Sequence, residues 1–278
     1  MKIIFIADFF VEQILGGGEL NNEELILMLR ADGYEVFKYN SHQVTASLIE
    51  KHKEDSFIIA NFCNIRPELI SLFYNKNYVI YEHDHKYLKT RNPGVFKDFK
   101  APQNQIINLD FYKNAKAVLC QSSFHAEIIN LNTSLQNIKN LSGNIWSLDS
   151  LGFMNDICDI EKTDTCAVMK SNIEHKNTAD AIRLCNAKGL SYNLVSSANY
   201  KEFLTLLGSN KKFVFLPKTP ETLSRVVVEA RMMDMSVIVN KMIGATREPW
   251  YSLKGKDLIK KVTQMRQEIK NIVIESLL

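Results

Sequence analysis

Short runs of apolar residues alternate with segments of helical periodicity along the whole chain. Each run is apolar throughout rather than at every second position, which is typical of strands covered on both faces. Strands joined by helices of this length predict right-handed crossovers and parallel sheets. The predicted strands are 3–7, 35–39, 57–62, 78–82, 117–121, 138–141, 166–169, 192–195, 213–216 and 237–240.

The segments between these strands have apolar residues at helical spacing. Residues 143–164 are predicted to be irregular, because they are polar and contain Gly143 and Gly152, and the strand–helix pattern restarts after them. The predicted helices are 19–31, 44–53, 67–75, 103–114, 123–131, 176–188, 200–207, 224–233 and 256–278.

We therefore predict an α/β protein with two Rossmann-like, doubly wound parallel-sheet domains that face each other across a cleft. The N-terminal domain is predicted over residues 1–152 and the C-terminal domain over residues 153–278. The last helix closes the chain, and its packing back onto the N-terminal domain is left open.

The composition is that of an ordinary soluble globular protein, with 46% hydrophobic and 23% charged residues. A formal net charge of +3 is too small to indicate nucleic-acid binding, so no nucleic-acid partner is expected. The five scattered cysteines favour reduced thiols in a cytoplasmic protein over a disulfide framework. No apolar run approaches the ~18 residues of a membrane span. Basic clusters at 86–100 and 254–270 leave peripheral membrane contact open, although solvated faces explain them more simply.

The most informative chemistry lies in residues 213–230. An apolar strand is followed by a turn and then by a helix that Thr222 or Ser224 can cap. Glu221 lies in the turn, and Glu229 lies eight residues later on the helix. Carboxylates at a strand-to-helix crevice can hold sugar hydroxyls, and N–H groups at a helix start can hold phosphate. The combination indicates a nucleotide-sugar site.

A glycine-rich loop, Gly16-Gly17-Gly18-Glu19, follows the first strand and precedes a helix. Consecutive glycines let the backbone come close to a ligand, and a helix start favours negative charge. The loop does not match GxGxxG and is too long for the tight dinucleotide turn, which argues against a Rossmann oxidoreductase. We expect this loop to contact a ligand.

The sequence Glu82-His83-Asp84-His85 follows the fourth strand, at the edge that borders the binding crevice in open α/β sheets. Histidine and aspartate are metal ligands, so a metal site is an alternative. No clear third ligand lies nearby and no Asp-x-Asp pair occurs, so we predict no metal. We expect His83 to face a substrate.

Cations follow the strands of the second half. Lys170 comes directly after its first strand, and Lys176 lies six residues further on. Paired cations at a strand end suit a diphosphate leaving group, which carries negative charge. Arg225, in the first turn of the helix after Glu221, is a third candidate. Gly244 follows the last predicted strand and permits a close backbone approach.

These residues resemble a known family. The spacing Glu221-x7-Glu229, followed by Ala230, a strand and Gly244, is similar to the donor-site signature of the retaining glycosyltransferases of family 4. The loop at Gly17 resembles the amino-terminal glycine loop of that family. The resemblance covers nearly the whole chain and implies the two-domain B-type glycosyltransferase fold.

Further positions match the same family. His83 lies where many members have a histidine after the fourth strand. Lys170 and Lys176 fall where the family has an arginine and a lysine on the donor diphosphate. The lysine at the arginine position keeps the charge but loses bidentate phosphate contact. The chain also differs in having Thr222 and Ser224 where glycines are common.

The resemblance implies transfer of a sugar from a nucleoside-diphosphate sugar to an acceptor hydroxyl, with retained configuration and without a metal or other cofactor. The implied catalytic residues are Glu221, His83 and Lys176, of which Lys176 neutralises the leaving diphosphate. Glu229 would hold the ribose hydroxyls. The implied substrate-binding residues are Gly17, Gly18, Glu19, Lys170, Thr222, Leu223, Ser224, Arg225, Glu229 and Gly244.

Alternatives stay open at this stage. The acceptor can be a glycan, a lipid-linked sugar or a small molecule. A non-catalytic nucleotide- or sugar-binding protein on the same scaffold is the main alternative function, because a fold does not determine a function. A metal-dependent hydrolase centred on His83, Asp84 and His85 is a further alternative.

Overall fold

The computed structural model describes all 278 residues, Met1–Leu278. The strands are β1 (Lys2–Ala7), β2 (Glu35–Asn40), β3 (Ser56–Ile59), β4 (Asn77–Tyr81), β5 (Ala117–Cys120), β6 (Ile138–Asn140), β7 (Thr163–Met169), β8 (Tyr192–Val195), β9 (Asn210–Phe215) and β10 (Ser236–Val239). The α-helices are α1 (Gly17–Ala31), α2 (Ala46–Lys51), α3 (Pro67–Ile70), α4 (Leu109–Asn114), α5 (Ser123–Thr133), α6 (Leu148–Cys158), α7 (Thr178–Ala187), α8 (Tyr200–Gly208), α9 (Arg225–Met232) and α10 (Gly255–Glu275).

The strands form two parallel sheets. One sheet has six strands in the order β2-β1-β3-β4-β5-β6, and the other has four in the order β10-β9-β7-β8. Every pair of neighbouring strands is parallel, with Ile4 beside Phe37, for example, and Val168 beside Val214. The predicted α/β class with two parallel-sheet domains is confirmed, and all ten predicted strands are present.

The chain divides into two compact units. Unit 1 contains Met1–Ile145 and Arg266–Leu278, and unit 2 contains Trp146–Met265. Helix α10 therefore begins in unit 2 and ends in unit 1. The predicted division after residue 152 falls inside α6.

The core of unit 1 is built on the six-stranded sheet. Residues Ile3 to Ala7 of β1 are fully buried, as expected for a central strand that is covered on both faces. Large side chains complete this core: Phe57 and Tyr78 lie on the strands, and Phe73 and Phe111 lie on the helical segments between strands. Burying one such side chain stabilises the fold by about 1.5–3 kcal/mol.

The core of unit 2 is smaller. Cys166 and Val168 of β7 pack with Val214 of β9 and with Ala181 and Cys185 of α7, all of them at most 2% exposed. This pairing of central strands with a covering helix brings the loops after β7 and β9 to one edge of the sheet.

The secondary structure differs from the prediction in two segments. Residues 143–164 are not irregular, because Leu148–Cys158 forms α6, whose first turn is capped by the Ser147 hydroxyl accepting from the Ser150 N–H at 3.0 Å. The helix predicted over 103–114 exists only as α4 (Leu109–Asn114), because Asn108 adopts a left-handed conformation with φ of 56° immediately before it.

Helix α10 is the longest, at 21 residues. It is amphipathic rather than apolar all round, and its second half is held in unit 1 by ion pairs from Lys270 to Asp32 and from Arg266 to Glu24. No helix in the structure combines the length and the apolar character needed to cross a membrane. The buried stripe of α10 includes Leu258, Val262, Met265, Ile269 and Val273.

Candidate functional site

Glu229 lies on α9 with only 3% of its surface exposed. The indole Nε1 of Trp146 donates a hydrogen bond to its Oε1 at 2.9 Å, and the hydroxyl of Tyr200 donates to the same oxygen at 2.6 Å. Neither donor uses the second carboxylate oxygen, Oε2. The buried carboxylate is therefore fixed in orientation, and both of these donors bond the same oxygen, Oε1.

Arg225 completes this cluster from the first turn of α9. Its guanidinium lies 4.3 Å from the centroid of the Trp146 ring, and its Nε is 3.5 Å from Oε1 of Glu229. Stacking on an indole and an adjacent carboxylate both favour the arginine charge in a buried position. Burial and the neighbouring Glu229 charge raise the pKa of the Tyr200 hydroxyl, which therefore keeps the proton that it donates.

Glu221 and Lys176 form an ion pair. The Nζ of Lys176 is 2.8 Å from Oε1 of Glu221, and the two side chains are 26% and 15% exposed. The backbone of Glu221 is fixed to the loop after β10, since its N–H donates to the carbonyl of Met242 at 2.8 Å and its carbonyl accepts from Gly244 at 3.0 Å. The pair joins the loops that follow the adjacent strands β7 and β9, at the edge where parallel α/β sheets bind ligands.

Ser224 precedes α9 in a left-handed conformation, with φ of 75°. Its carbonyl accepts from the N–H groups of Val227 and Val228, both at 3.2 Å, but its side chain makes no capping hydrogen bond. The prediction that a hydroxyl of Thr222 or Ser224 caps this helix is thus wrong for Ser224. The Ser224 hydroxyl is buried without a hydrogen-bond partner, which is costly unless a ligand supplies one.

The other predicted residues of unit 2 differ in exposure. Lys170 directly follows β7 and is exposed. Leu223 is fully buried, and its carbonyl accepts from the Ala245 N–H at 3.0 Å. Gly244 is buried, and its N–H is used by Glu221. The structure thus brings Glu221 together with Lys176, and Arg225 with Glu229, but shows no contact from Lys170 to any of them.

In unit 1, Gly17, Gly18 and Glu19 form the first turn of α1 rather than a loop before it. A Cβ atom on Gly18 would lie 3.7 Å from Cγ of His83, which is ordinary van der Waals contact. Packing inside the protein therefore does not require glycine at this position. Burial, opposed in part by a hydrogen bond from its own N–H, raises the pKa of the Glu19 carboxyl.

His83 is held from both ring nitrogens. Its Nε2 is 2.6 Å from Oδ1 of Asn22 on α1, and the Gln121 side-chain amide donates to its Nδ1. This arrangement fits a neutral ring that carries its proton on Nε2. Tyr81 packs edge-on against the same ring, with centroids 5.0 Å apart.

The residues that follow His83 form a charge network centred on the buried Lys86. Lys86 is fully buried and contacts the carboxylates of both Glu82 and Asp84, the latter at 2.8 Å. Arg91 Nε donates to the second oxygen of Asp84 at 2.8 Å. His85 packs instead against the ring of His125. No group of three or more histidine, cysteine, aspartate or glutamate side chains in the structure is arranged to hold a metal ion.

Burial and charge act in opposite directions in this network. Burial raises the pKa of Glu82 to about 7, although the Lys86 charge opposes the shift. Burial alone would also raise the pKa of Asp84, but the charges of Lys86 and Arg91 outweigh it and lower that pKa. Asp84 is therefore ionised at neutral pH and is neutralised by two cations.

Several residues at these sites were not predicted from the sequence. Trp146 and Tyr200 orient Glu229, while Asn22 and Gln121 orient His83. All four are polar or amphipathic side chains far along the chain from the residue that they contact. The one available signal was Asn22, a polar residue on the buried face of a predicted helix.

The fold has known counterparts. An alpha-glucosyltransferase solved with UDP and a 13-mer DNA superposes with a TM-score of 0.52 at 10% identity, over 100% of this chain and 95% of that chain. HepE from Anabaena, solved with UDP and glucose, superposes with a TM-score of 0.55 at 15% sequence identity, over 99% of this chain and 94% of that chain. The lipopolysaccharide outer core galactosyltransferase WaaB superposes with a TM-score of 0.50 at 11% sequence identity, over 98% of this chain and 91% of that chain. No family model and no curated protein matches the chain.

The chain has the GT-B fold. The predicted B-type glycosyltransferase architecture is confirmed, while membership of family 4 stays a prediction. The alpha-glucosyltransferase complex shows that a protein of this fold can bind DNA. The expectation of no nucleic-acid partner, which rests on the small net charge and on the spread of basic residues along the chain, also stays a prediction.

Proposed function

We propose that the protein transfers a sugar from a nucleoside-diphosphate sugar to an acceptor hydroxyl. The observation that carries this proposal is the buried Glu229 carboxylate, which Trp146 and Tyr200 hold through a single oxygen. A carboxylate oxygen fixed in this way accepts hydrogen bonds from the adjacent hydroxyls of a ribose. Solved GT-B proteins that contain UDP or UDP-glucose support the same interpretation.

The start of α9 is the proposed diphosphate site. The first N–H groups of a helix have no partner within the helix, and the positive end of its dipole favours an anion. The buried hydroxyl of Ser224 has no partner in the protein and would donate to a phosphate oxygen. Lys176, with Lys170 as a second cation, would neutralise the charge that develops on the leaving diphosphate.

Glu221 and His83 are the proposed contacts to the transferred sugar. The ion pair with Lys176 holds the Glu221 carboxylate at the edge of the four-stranded sheet. The missing side chain at Gly18 leaves room above the His83 ring. The remaining residues of the proposed substrate site are Gly17, Glu19, Thr222, Leu223, Arg225 and Gly244.

The proposed reaction needs no protein nucleophile. The bond from the anomeric carbon to the β-phosphate oxygen breaks, the acceptor oxygen bonds to the same carbon on the same face, and the departing phosphate oxygen takes the acceptor proton. Retention of configuration is part of this proposal. So is a cytoplasmic location, which the five free cysteines support.

Turnover of the donor tests the proposal. Wild type and Lys176→Ala are incubated with UDP-, GDP- and ADP-sugars and candidate acceptors, and release of the nucleoside diphosphate is measured. Release by wild type that falls by ~100-fold in the variant supports the proposal, since this is the loss expected for one preorganised charge contact. Absence of release from every donor, with or without acceptors, contradicts it.

A non-catalytic nucleotide- or sugar-binding protein is the second candidate. The observation that favours it is Ser224, which takes a left-handed conformation where the resembling family commonly has glycine. Nucleoside diphosphate binding without release of sugar from any donor would select this function.

A further inference from the structure

The loops that follow β7 and β9 in unit 2 are fixed to each other by hydrogen bonds. The Lys218 N–H donates to the His175 carbonyl at 2.8 Å. The side-chain amide of Asn177 donates to the Leu216 carbonyl at 2.7 Å. These two contacts involve the residues on either side of Lys176, so they fix the backbone from which the Lys176 side chain extends.

The carboxylate of Glu221 contacts this lysine through one oxygen. Its Oε1 lies 2.8 Å from the Lys176 ammonium nitrogen, and the Glu221 backbone forms a parallel bridge with Ile243. Both side chains are mostly shielded from solvent. Because Oε1 accepts from the lysine, Oε2 is left to accept hydrogen bonds from hydroxyl groups. A negative charge is therefore fixed beside the cation that is proposed to bind the diphosphate.

A phosphate bound by Lys176 would share the ammonium group with Glu221. An ammonium group has three N–H donors, so one can serve the carboxylate and another a phosphate oxygen. Two oxygens held by one tetrahedral nitrogen lie about 4–5 Å apart. Like charges at this separation weaken binding about fivefold even with the screening of bulk water, and by more in a partly buried site.

The donor and the nucleotide left after transfer differ in charge at this phosphate. In a nucleotide sugar the β-phosphate is esterified to the sugar and carries a single negative charge. In a free nucleoside diphosphate it has a second ionisable oxygen with a pKa of about 6, so its negative charge is larger at neutral pH. The donor also supplies sugar hydroxyls that donate to the Glu221 carboxylate, and the free diphosphate has no group that replaces them.

We propose that Glu221 makes the site favour an intact nucleotide sugar over the nucleoside diphosphate that is left after transfer. The inference rests on the proposed glycosyl transfer. Lys176 attracts both ligands, and the neighbouring carboxylate discriminates between them, because it attracts the hydroxyls of one and repels the extra charge of the other. Repulsion from Glu221 speeds release of the product once the product has lost the proton taken from the acceptor.

Isothermal titration calorimetry of three ligand pairs tests the proposal: UDP with UDP-glucose, GDP with GDP-mannose, and ADP with ADP-glucose. The measured quantity is the ratio of the two dissociation constants within a pair. Glu221→Gln removes the charge and keeps the shape, so it should bind the nucleoside diphosphate about fivefold more tightly. Its affinity for the nucleotide sugar should stay unchanged or fall, so the ratio should shift toward the nucleoside diphosphate.

Three further variants separate charge from packing. Glu221→Ala removes the same charge without adding an amide and should shift the ratio in the same direction. Glu221→Asp keeps a carboxylate, so its ratio should lie closer to that of wild type than to that of Glu221→Gln. Glu174→Gln is the matched control, because Glu174 forms an exposed pair with Lys218 in the same unit. Its ratio should equal that of wild type.

Three outcomes overturn the proposal. The ratio is unchanged in Glu221→Gln and Glu221→Ala, or Glu221→Asp or Glu174→Gln shifts it as far as Glu221→Gln does, or wild type binds a nucleoside diphosphate but no nucleotide sugar. Nucleotide binding is retained in each case, so the proposed transfer is then decided by its own turnover assay. Wild type that binds no member of any pair would instead reject the transfer together with this inference.

Discussion

The indole Nε1 of Trp146 donates a hydrogen bond of 2.9 Å to Oε1 of Glu229, a residue 83 positions later in the chain. Together with Tyr200, this bond makes Glu229 both a ligand candidate and a structural acceptor. Removing the carboxylate leaves two buried donors without their acceptor, at a cost of about 1–3 kcal/mol each. An alanine at this position therefore tests stability and function together.

Glutamine and alanine at position 229 should separate the two roles. Glu229→Gln keeps an oxygen that can accept from Trp146 and Tyr200, so its melting temperature should lie close to that of wild type. Glu229→Ala should melt clearly lower. Thermal unfolding by circular dichroism measures both, with the exposed Glu161→Gln of unit 2 as the control. Equal melting temperatures for the glutamine and alanine variants would show that these hydrogen bonds contribute little.

The Lys176–Glu221 ion pair should matter for turnover more than for stability. Both side chains are partly exposed, so Lys176→Ala should change the free energy of unfolding by about 0–1 kcal/mol. Donor turnover should fall by ~100-fold. Lys218→Ala is the matched control, because Lys218 forms an exposed pair with Glu174 in the same unit. Initial rates that fall equally in both variants would argue against a specific role for Lys176.

Ser224 allows strain and ligand contact to be measured apart. Ser224→Gly relieves a left-handed conformation that disfavours side chains, so the free energy of unfolding should rise by ~1 kcal/mol. Ser224→Ala keeps that strain. If the buried hydroxyl donates to phosphate, both variants should bind nucleoside diphosphate about fivefold more weakly. Wild-type affinity in both variants would restrict Ser224 to a conformational role.

Glu82 should make the stability of the fold depend on pH. Burial, opposed by Lys86 and reinforced by Asp84, raises its pKa from 4.5 to about 7. Between these values the folded state holds a proton that the unfolded state has released, so the free energy of unfolding should fall as pH rises through this window. Glu82→Gln cannot ionise and should flatten the dependence. Denaturant unfolding at several pH values across this window measures the pH dependence, with the exposed Glu68→Gln as the control. If the free energy of unfolding of Glu82→Gln changes with pH as steeply as that of wild type, Glu82 is not its source.

The strands could be predicted because their signal is local. In β5, in Phe57–Ile59 of β3 and in Ile3–Ala7 of β1, every residue is buried and apolar, so the sequence itself shows an uninterrupted apolar run. Parallel pairing then follows from the helices that separate the strands. The glutamates and lysines of unit 2 could be selected for a similar reason, since each follows a recognisable strand.

Helix α6 is not predicted from the sequence because its hydrophobic pattern is weak. Gly152 and several polar residues hide a buried stripe at Leu151, Met154 and Ile157, which has helical spacing. The Ser147 cap was present in the sequence as well. The prediction before α4 is wrong for the opposite reason: the helical pattern is present, but the backbone is left-handed at Asn108, whose side-chain amide donates to the Lys86 carbonyl at 2.9 Å.

The residues that orient the candidate site could not be predicted, because their contacts are set by the fold rather than by sequence spacing. Trp146 reaches Glu229 across 83 positions, and Gln121 reaches His83 across 38. The Lys176–Glu221 pair was predicted as two separate contacts to a donor, and only the structure shows that the two side chains contact each other.

Unit 2 is proposed to bind a nucleoside diphosphate through Glu229. Isothermal titration calorimetry of UDP, GDP and ADP against wild type and Glu229→Gln tests it most directly. We predict that wild type binds at least one of the three and that the variant binds it ~10-fold more weakly or worse, because a hydrogen bond to a charged group is lost. Wild-type protein that binds none of them, or a variant with unchanged affinity, would contradict the claim.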